Sequence, residues 1–419
     1  MPPSSKPSVV VIGAGVAGLA CALDLTAARV PVQILDASDG VGGRMRTDRQ
    51  EGFLLDRGFQ VFNTSYPQVK RRINLPALQL RPFTPGVLLH AGDRRLRFAD
   101  PTRQPSGAMD LLRGRLAGPS DAIALARLCA ADMLLPVSLI KRQPDRATFA
   151  ALTEAGISPA LCELFFRPFL AGIFLEDELE TSGRFFHLVW RSMLRGTLCL
   201  PRRGIQAVPE QLAARLPAGT VRLETPVRAL TDDGAELEDG TRIAARAVIV
   251  ATGAAEAAAL FPGLSVAATR TVTTFYHAAP SAPLAEPTLL VDTERKILNT
   301  VVLTEVTPAY AADGRSLVST SVLGDASGRE PDVRARIGEM YGADTSGWEH
   351  LATYPVHGAL PAMPAPHPLS RPARLAPRRY VCGDYRATGS VQGAMASGTR
   401  AAREFLAWAA RDSQRPGRS

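Results

Sequence analysis

Val9-Val10-Val11-Ile12-Gly13-Ala14-Gly15-Val16-Ala17-Gly18 is an apolar run that opens straight into a glycine-spaced turn. A helical pattern follows from Leu19 to Ala28, and a second apolar run, Val30 to Leu35, ends on Asp36. The order predicts strand, tight turn, helix and second strand. Gly13 permits the turn, Gly15 lets a pyrophosphate approach the backbone, and Gly18 lets the helix pack against the sheet. The free amides and the positive end of the helix dipole then face the phosphates. Asp36 lies eighteen residues beyond Gly18, close to the spacing of about 20 expected of a ribose-binding acid. A glycine trio alone fits a purely structural turn as well. The strand before it, the helix after it and the terminal acid favour a dinucleotide.

Asp39-Gly40-Val41-Gly42-Gly43-Arg44-Met45-Arg46-Thr47 comes next. It resembles the double-glycine arginine motif of FAD-dependent oxidoreductases, a group that includes flavin amine oxidases, protoporphyrinogen oxidase and the phytoene and carotene desaturases. Two glycines let the backbone crowd a cofactor, and Arg44 can lay a planar cation on its pyrophosphate. Val248 to Gly253 resembles the family's strand-to-turn segment, and Pro226-Val227-Arg228-Ala229-Leu230 the strand whose valine backbone contacts adenine. Tyr380-Val381-Cys382-Gly383-Asp384-Tyr385, leading into Gly389-Ser390-Val391-Gln392-Gly393-Ala394, resembles the final strand, loop and helix that meet the flavin. Asp56-Arg57-Gly58-Phe59-Gln60 and Leu164-Phe165-Phe166-Arg167-Pro168-Phe169 are similar to a bacterial desaturase-like branch.

The resemblance implies non-covalent FAD held by Gly13, Gly15, Val16, Ala17, Gly18, Asp36, Ala37, Gly42, Gly43, Arg44, Gly58, Phe59, Gln60, Val227, Ala251, Thr252, Gly253, Gly383, Asp384, Ser390, Val391, Gln392 and Ala394. Asp384 would bind the ribityl chain. The amides near Val391 and Gln392 would stabilise negative charge on the reduced flavin. The expected fold class is α/β: a discontinuous Rossmann-type FAD-binding domain with an inserted α+β substrate domain. The cofactor domain is expected from residues 8–74, 200–262 and 377–410. The substrate domain takes 75–199 and 263–376, and 411–419 form a flexible tail.

The chain has 419 residues, 46% of them hydrophobic, enough for two packed units. Its net charge of +8 does not spell a nucleic-acid surface. Lysine occurs only at Lys6, Lys70, Lys141 and Lys296, and no basic run interleaves with aromatics. An anionic substrate or membrane surface suits the charge better. Cys21, Cys129, Cys162, Cys199 and Cys382 are scattered, and the six histidines lack metal-ligand spacing. No disulfide framework or metal is therefore expected. Met1 to Ser8 carries no apolar signal region, so a cytosolic protein is expected.

The first insertion reads as helical. Asp121 to Ile140 is mostly apolar, as long as a membrane span of roughly 20 residues. Arg127 and Asp132 interrupt it and Pro136 would bend it, which suits a core helix or a lid dipping into a membrane. Phe165, Phe166, Phe169, Phe174, Phe185, Phe186 and Trp190 are expected as core or as the wall of an apolar pocket. In the second insertion, Thr271 to Tyr276 and Leu317 to Leu323 suggest a sheet under the flavin.

Amine oxidases of the group flank the substrate nitrogen with paired tyrosines and carry a lysine near the flavin. Here Ser390 stands at one tyrosine's place and Gln392 at the neighbouring glutamate's. The lysine's match falls near Thr271, in a run without lysine, and Lys296 reads as surface. Without the cage, an isoprenoid, polyene or other lipid-like substrate is favoured. Catalytic residues are not assigned; the candidates for the pocket are Gln60, Tyr276, His277, Tyr354 and His357. A single dinucleotide fingerprint sends the electrons to dioxygen, a quinone or another external acceptor. The alternatives are a redox-neutral flavin isomerase or cyclase, a flavin amine oxidase, and a lipid-binding carrier such as the Rab GDP-dissociation inhibitors.

Overall fold

The computed structural model describes residues 9–59, 61–99, 103 and 118–413. Its first sheet has six strands in the order Val221–Arg222, Val32–Leu35, Val9–Ile12, Ala247–Val250, Arg379–Val381 and Arg374–Ala376. The first five run parallel, and the last is antiparallel to its neighbour. Val9 sits opposite both Val32 and Ala247. Both central strands, VVVI and AVIV, are wholly buried, as a parallel sheet covered on both faces requires. Strand alternation divides their side chains. Val9 and Val11 pack with the helices Val16–Ala27 and Val391–Ser413. Val10, Ile12, Val248 and Val250 pack with the antiparallel meander Val227–Thr231, Gly234–Leu237 and Arg242–Ala244 and with the helix Ala254–Leu260. The first and last helices touch backbone to side: a Cβ on Gly398 would lie 2.1 Å from the Ala17 carbonyl oxygen. The closing helix runs to Ser413, so residues 411–413 are helical rather than tail, and Asp412 accepts from Arg246 at 3.0 Å.

The second sheet has seven strands, ordered Glu349–Pro361, Thr269–Ala279, Ser316–Leu323, Asn299–Val302, Leu290–Asp292, Gly86–Ala91 and Arg94–Ala99. It joins both insertions, because Leu290–Asp292 pairs in parallel with Gly86–Ala91. The first insertion is thus not only helical. The strands Gly86–Ala91 and Arg94–Ala99 precede the helices Pro119–Leu134, Val137–Ile140, Thr148–Glu154, Arg167–Phe174 and Gly183–Arg195. Pro136 forces Leu135 into extended backbone (φ −61°, ψ 137°) and ends the long helix. Arg127 is exposed and Asp132 is buried against His187 Nδ1 at 2.9 Å. The two charges that interrupt the apolar stretch therefore point to opposite faces. No described helix is long and apolar enough to cross a membrane.

Candidate active site

The glycine turn is held from three sides. The Gly13 amide donates to Leu35 O at 2.7 Å, Gly42 N to Ala14 O at 3.0 Å and Ala251 N to Ile12 O at 2.7 Å. Asp36 accepts from Ala14 N at 2.5 Å and from Ser38 N at 2.8 Å, so its carboxylate fixes the turn it serves. Ala37 is exposed just beyond. The fold itself explains Gly18, whose added Cβ would sit 2.0 Å from Gly13 O. Gly15 is different. Its backbone, φ −68° and ψ 171°, suits any residue, and nothing lies within 4 Å of an added Cβ. Neither conformation nor packing requires glycine there, and the open space beside it leaves room for a group from outside the chain. The residues present fit a dinucleotide pyrophosphate.

Arg44 ties together segments far apart in sequence. One guanidinium nitrogen donates to Ala359 O at 2.6 Å and Gly358 O at 3.3 Å, and the other to Asp384 Oδ2 at 2.7 Å. Asp384 is buried, and its second oxygen accepts the Tyr385 amide at 3.0 Å. Gly383 N donates to Ser397 Oγ at 3.1 Å. Ser390 Oγ accepts Gly393 N at 3.0 Å and caps the closing helix. Ala394 N follows with a bond to Ser390 O at 2.9 Å. The Gln392 side chain turns away to accept Gln68 N at 2.8 Å. That leaves the amides of Val391 and Gln392, which meet no protein acceptor among the described residues, as this helix's contribution to an anion. Ala251, Thr252 and Gly253 follow the strand Ala247–Val250, and Val227 opens the meander beside a bulge. Gly58 lies against Val356, and Phe59 N donates to Thr274 Oγ1 at 3.3 Å. Gln60 lies outside the described residues.

Phe59 leads into a cavity with about 900 Å³ of empty space, part of it open to solvent. Phe83, Phe165, Phe169 and Trp190 form much of its wall, with Leu125 and Cys129 from the long helix. Phe98 stacks on Phe165 at 3.6 Å between ring centres, and Phe165 on Phe169 at 5.2 Å. The aromatic zone is thus divided: Phe165, Phe169 and Trp190 line the cavity, while Phe166, Phe174, Phe185 and Phe186 are core. Phe83, Phe98, Met193 and Leu289 on the wall were not expected from sequence; each is an ordinary hydrophobe that only the chain's return brings there.

The four described pocket candidates lie away from this cavity. Successive strand residues face opposite ways, so Tyr276 and His277 cannot share a site. Tyr276 is fully buried and donates to Asp56 O at 2.7 Å. His277 is buried on the other side, 3.0 Å from Glu330 Oε1, and desolvation lowers its pKa. Tyr354 donates to Asp48 Oδ2 at 2.9 Å, and the exposed His357 lies 3.7 Å from Asp325. None of the four lines the cavity. Lys296 is exposed and paired with Glu294 at 2.8 Å.

Asp56, at the end of the strand Phe53–Asp56, emerges instead as a buried hub. It accepts Thr47 Oγ1 at 2.6 Å, Ile205 N at 3.0 Å and Tyr310 OH at 3.0 Å. Burial outweighs these bonds and pushes its carboxyl from 3.8 up to about 6. With the folded value above the unfolded one, the folded state holds the proton longer. This residue's contribution to stability therefore falls as pH rises from about 4 to about 6 and is level above, a loss of about 3 kcal/mol. Urea unfolding across that range should show the slope in the wild type and not in Asp56→Asn. Parallel curves would mean that the carboxyl is not desolvated.

A profile of flavin-containing amine oxidoreductases matches residues 16–406. The chain belongs to this family. It is an FAD-dependent oxidoreductase. A coproporphyrinogen III oxidase of Propionibacterium freudenreichii subsp. freudenreichii is 25% identical over 348 residues, 69% of this chain and 64% of that protein. The chain thus spans less than two thirds of that relative's length. In fold it is similar to a proposed protoporphyrinogen oxidase from Exiguobacterium sp. 255-15 (TM-score 0.72, 17% identity, covering 96% of this chain and 99% of that one). A putrescine oxidase variant is also similar (TM-score 0.67, 18% identity, 96% and 99%). FAD, when bound, supplies the hydride acceptor. What the chain presents to it is the open turn at Gly15 and, beyond Phe59, a cavity with largely apolar walls.

Proposed function

We propose that this flavoenzyme dehydrogenates or oxidises a neutral, apolar small molecule of isoprenoid, polyene or similar lipid type, in the manner of the desaturase-like branch. The character of the cavity wall carries this reading. Among the described lining residues Arg103 is the one that bears a charge. Its guanidinium is directed to the carbonyls of Gly196, Leu194 and Met193 at the end of the helix Gly183–Arg195. No described Asp, Glu or Tyr lines the cavity, so a protonated amine meets no partner and would be desolvated at a cost. A porphyrinogen bearing several carboxylates would meet Arg103 as the single cation among the described lining residues. FAD is held without a covalent link, and electrons pass on to dioxygen or a quinone. The five free, buried cysteines suit a reducing compartment.

Anaerobic mixing tests the proposal. A polyene or isoprenoid should bleach the oxidised flavin band, whereas putrescine and coproporphyrinogen should not. Bleaching by either of the last two alone would overturn it. A product of unchanged mass, formed only after reduction, would instead favour the isomerase alternative. Met193→Arg places a charge on the partly exposed wall of the cavity. It should lower kcat/KM about tenfold or more, at unchanged flavin content.

A further inference from the structure

The helix Pro119–Leu134 separates the apolar cavity from solvent. Leu125 and Cys129 on its inner side line that cavity. Its outer face repeats at helical spacing through Ile123, Ala126, Arg127, Ala130 and Leu134, all exposed. Ile123 is 54% exposed and Leu134 81%. Beyond the break at Pro136, Val137 and Leu139 are 39% and 47% exposed. Four of the large exposed hydrophobic side chains thus fall within seventeen residues of one elbow. Scattered exposed apolar residues need no explanation, but a cluster of them does.

The charges around the elbow have one sign. From Gly118 to Pro144 the only carboxylates are Asp121 and Asp132, and both are buried. Arg127, Lys141 and Arg142 are exposed. Arg191 and Arg195 reach the helix's last carbonyls: Arg191 donates to Asp132 O and Met133 O, and Arg195 to Met133 O at 3.1 Å. The cations therefore stand beside Leu134. Apolar side chains projecting between cations match a bilayer surface with anionic headgroups.

We propose that the outer face of Pro119–Leu134 and the elbow at Val137–Ile140 dock the enzyme on an anionic lipid bilayer. The helix lies along the interface, with its cavity-lining side turned toward the protein. An apolar molecule dissolved in the lipid then has one helix between it and the cavity. The docking rests on the surface alone and not on the identity of the substrate.

Co-sedimentation of the full flavoprotein with vesicles, without substrate, tests this. Vesicles of equal phosphatidylcholine and phosphatidylglycerol should bind at least about tenfold more protein than phosphatidylcholine alone, and high salt should weaken the binding. Leu134→Glu/Leu139→Glu should lower binding about tenfold or more, with flavin content and unfolding midpoint unchanged. Arg127→Glu/Lys141→Glu should abolish the preference for anionic lipid while leaving the apolar residues intact. Equal binding by the wild type and Leu134→Glu/Leu139→Glu would overturn the proposal, as would no binding to either vesicle. Lipid-free self-association that Leu134→Glu/Leu139→Glu abolishes would assign the face to a second copy of the chain instead.

Discussion

Gly15→Val is expected to fold as the wild type does and to purify without flavin. The substitution meets no steric objection inside the protein, since Gly15 has an ordinary extended backbone and open space where the Cβ would go. The side chain would occupy the ground on which the pyrophosphate must approach the turn. Flavin per protein should fall more than tenfold, read from the visible spectrum before and after denaturation. The stability of the apoprotein should stay within about 0.5 kcal/mol of wild-type apoprotein. Gly18→Val is the contrast. Its Cβ would lie 2.0 Å from Gly13 O, so the turn itself must move, and stability should fall by about 3 kcal/mol or more. The pair separates a glycine kept for the ligand from one kept for the fold. Flavin content unaffected by Gly15→Val would place the pyrophosphate elsewhere.

Asp292→Ala should cause the largest loss of stability, about 3–5 kcal/mol. Asp292 ends the strand Leu290–Asp292 and is fully buried. Arg336, on the helix Glu330–Tyr341, grips it with Nε at 3.1 Å and Nη2 at 2.6 Å. The same carboxylate accepts the amides of Glu294 at 3.0 Å, Lys296 at 3.1 Å and Ile297 at 3.3 Å. Its presence raises the pKa of the guanidinium still further. Removing the carboxylate leaves three amides unpaired and takes from the guanidinium its two-pronged partner, leaving it Glu339 at 2.8 Å and Glu294 at 3.4 Å, whereas removing both partners leaves the amides alone. The double variant Asp292→Ala/Arg336→Met should therefore cost less than the sum of the singles, by about 1–3 kcal/mol. Urea unfolding of all four proteins measures this. A single-variant cost below about 1 kcal/mol would show the pair to be solvated.

What could be read in the chain was what short range decides. The strand, glycine turn, helix and acid from Val9 to Asp36 constrain one another through local backbone geometry. The runs Thr271 to Tyr276 and Leu317 to Leu323 show themselves as strands for the same reason, and fall inside the observed Thr269–Ala279 and Ser316–Leu323. The family likeness added Arg44 and Asp384, but not that they meet, because 340 residues separate them and only the folded chain closes that distance.

Local pattern could not tell which side of an element would face the site. A strand shows that Tyr276 and His277 diverge but not which of them meets the cofactor. Both proved to be occupied, by Asp56 and by Glu330. In the aromatic zone, the π-turn Cys162–Phe166 adds a residue to the helical repeat and rotates the helix Arg167–Phe174 relative to it. Spacing puts Phe165 and Phe169, four residues apart, on one side, but it does not show that this side borders a cavity while Phe166 and Phe174 fill the core. The acidity of Asp56 was hidden as well, since it arises from burial among Ile205, Tyr276 and Tyr310, which come from separate parts of the chain. Sequence by itself determined that a dinucleotide turn would form and where its glycines stand. Tertiary packing alone decided which hydrophobes enclose a cavity and which fill the core, because burial depends on the surfaces that long-range contacts bring together.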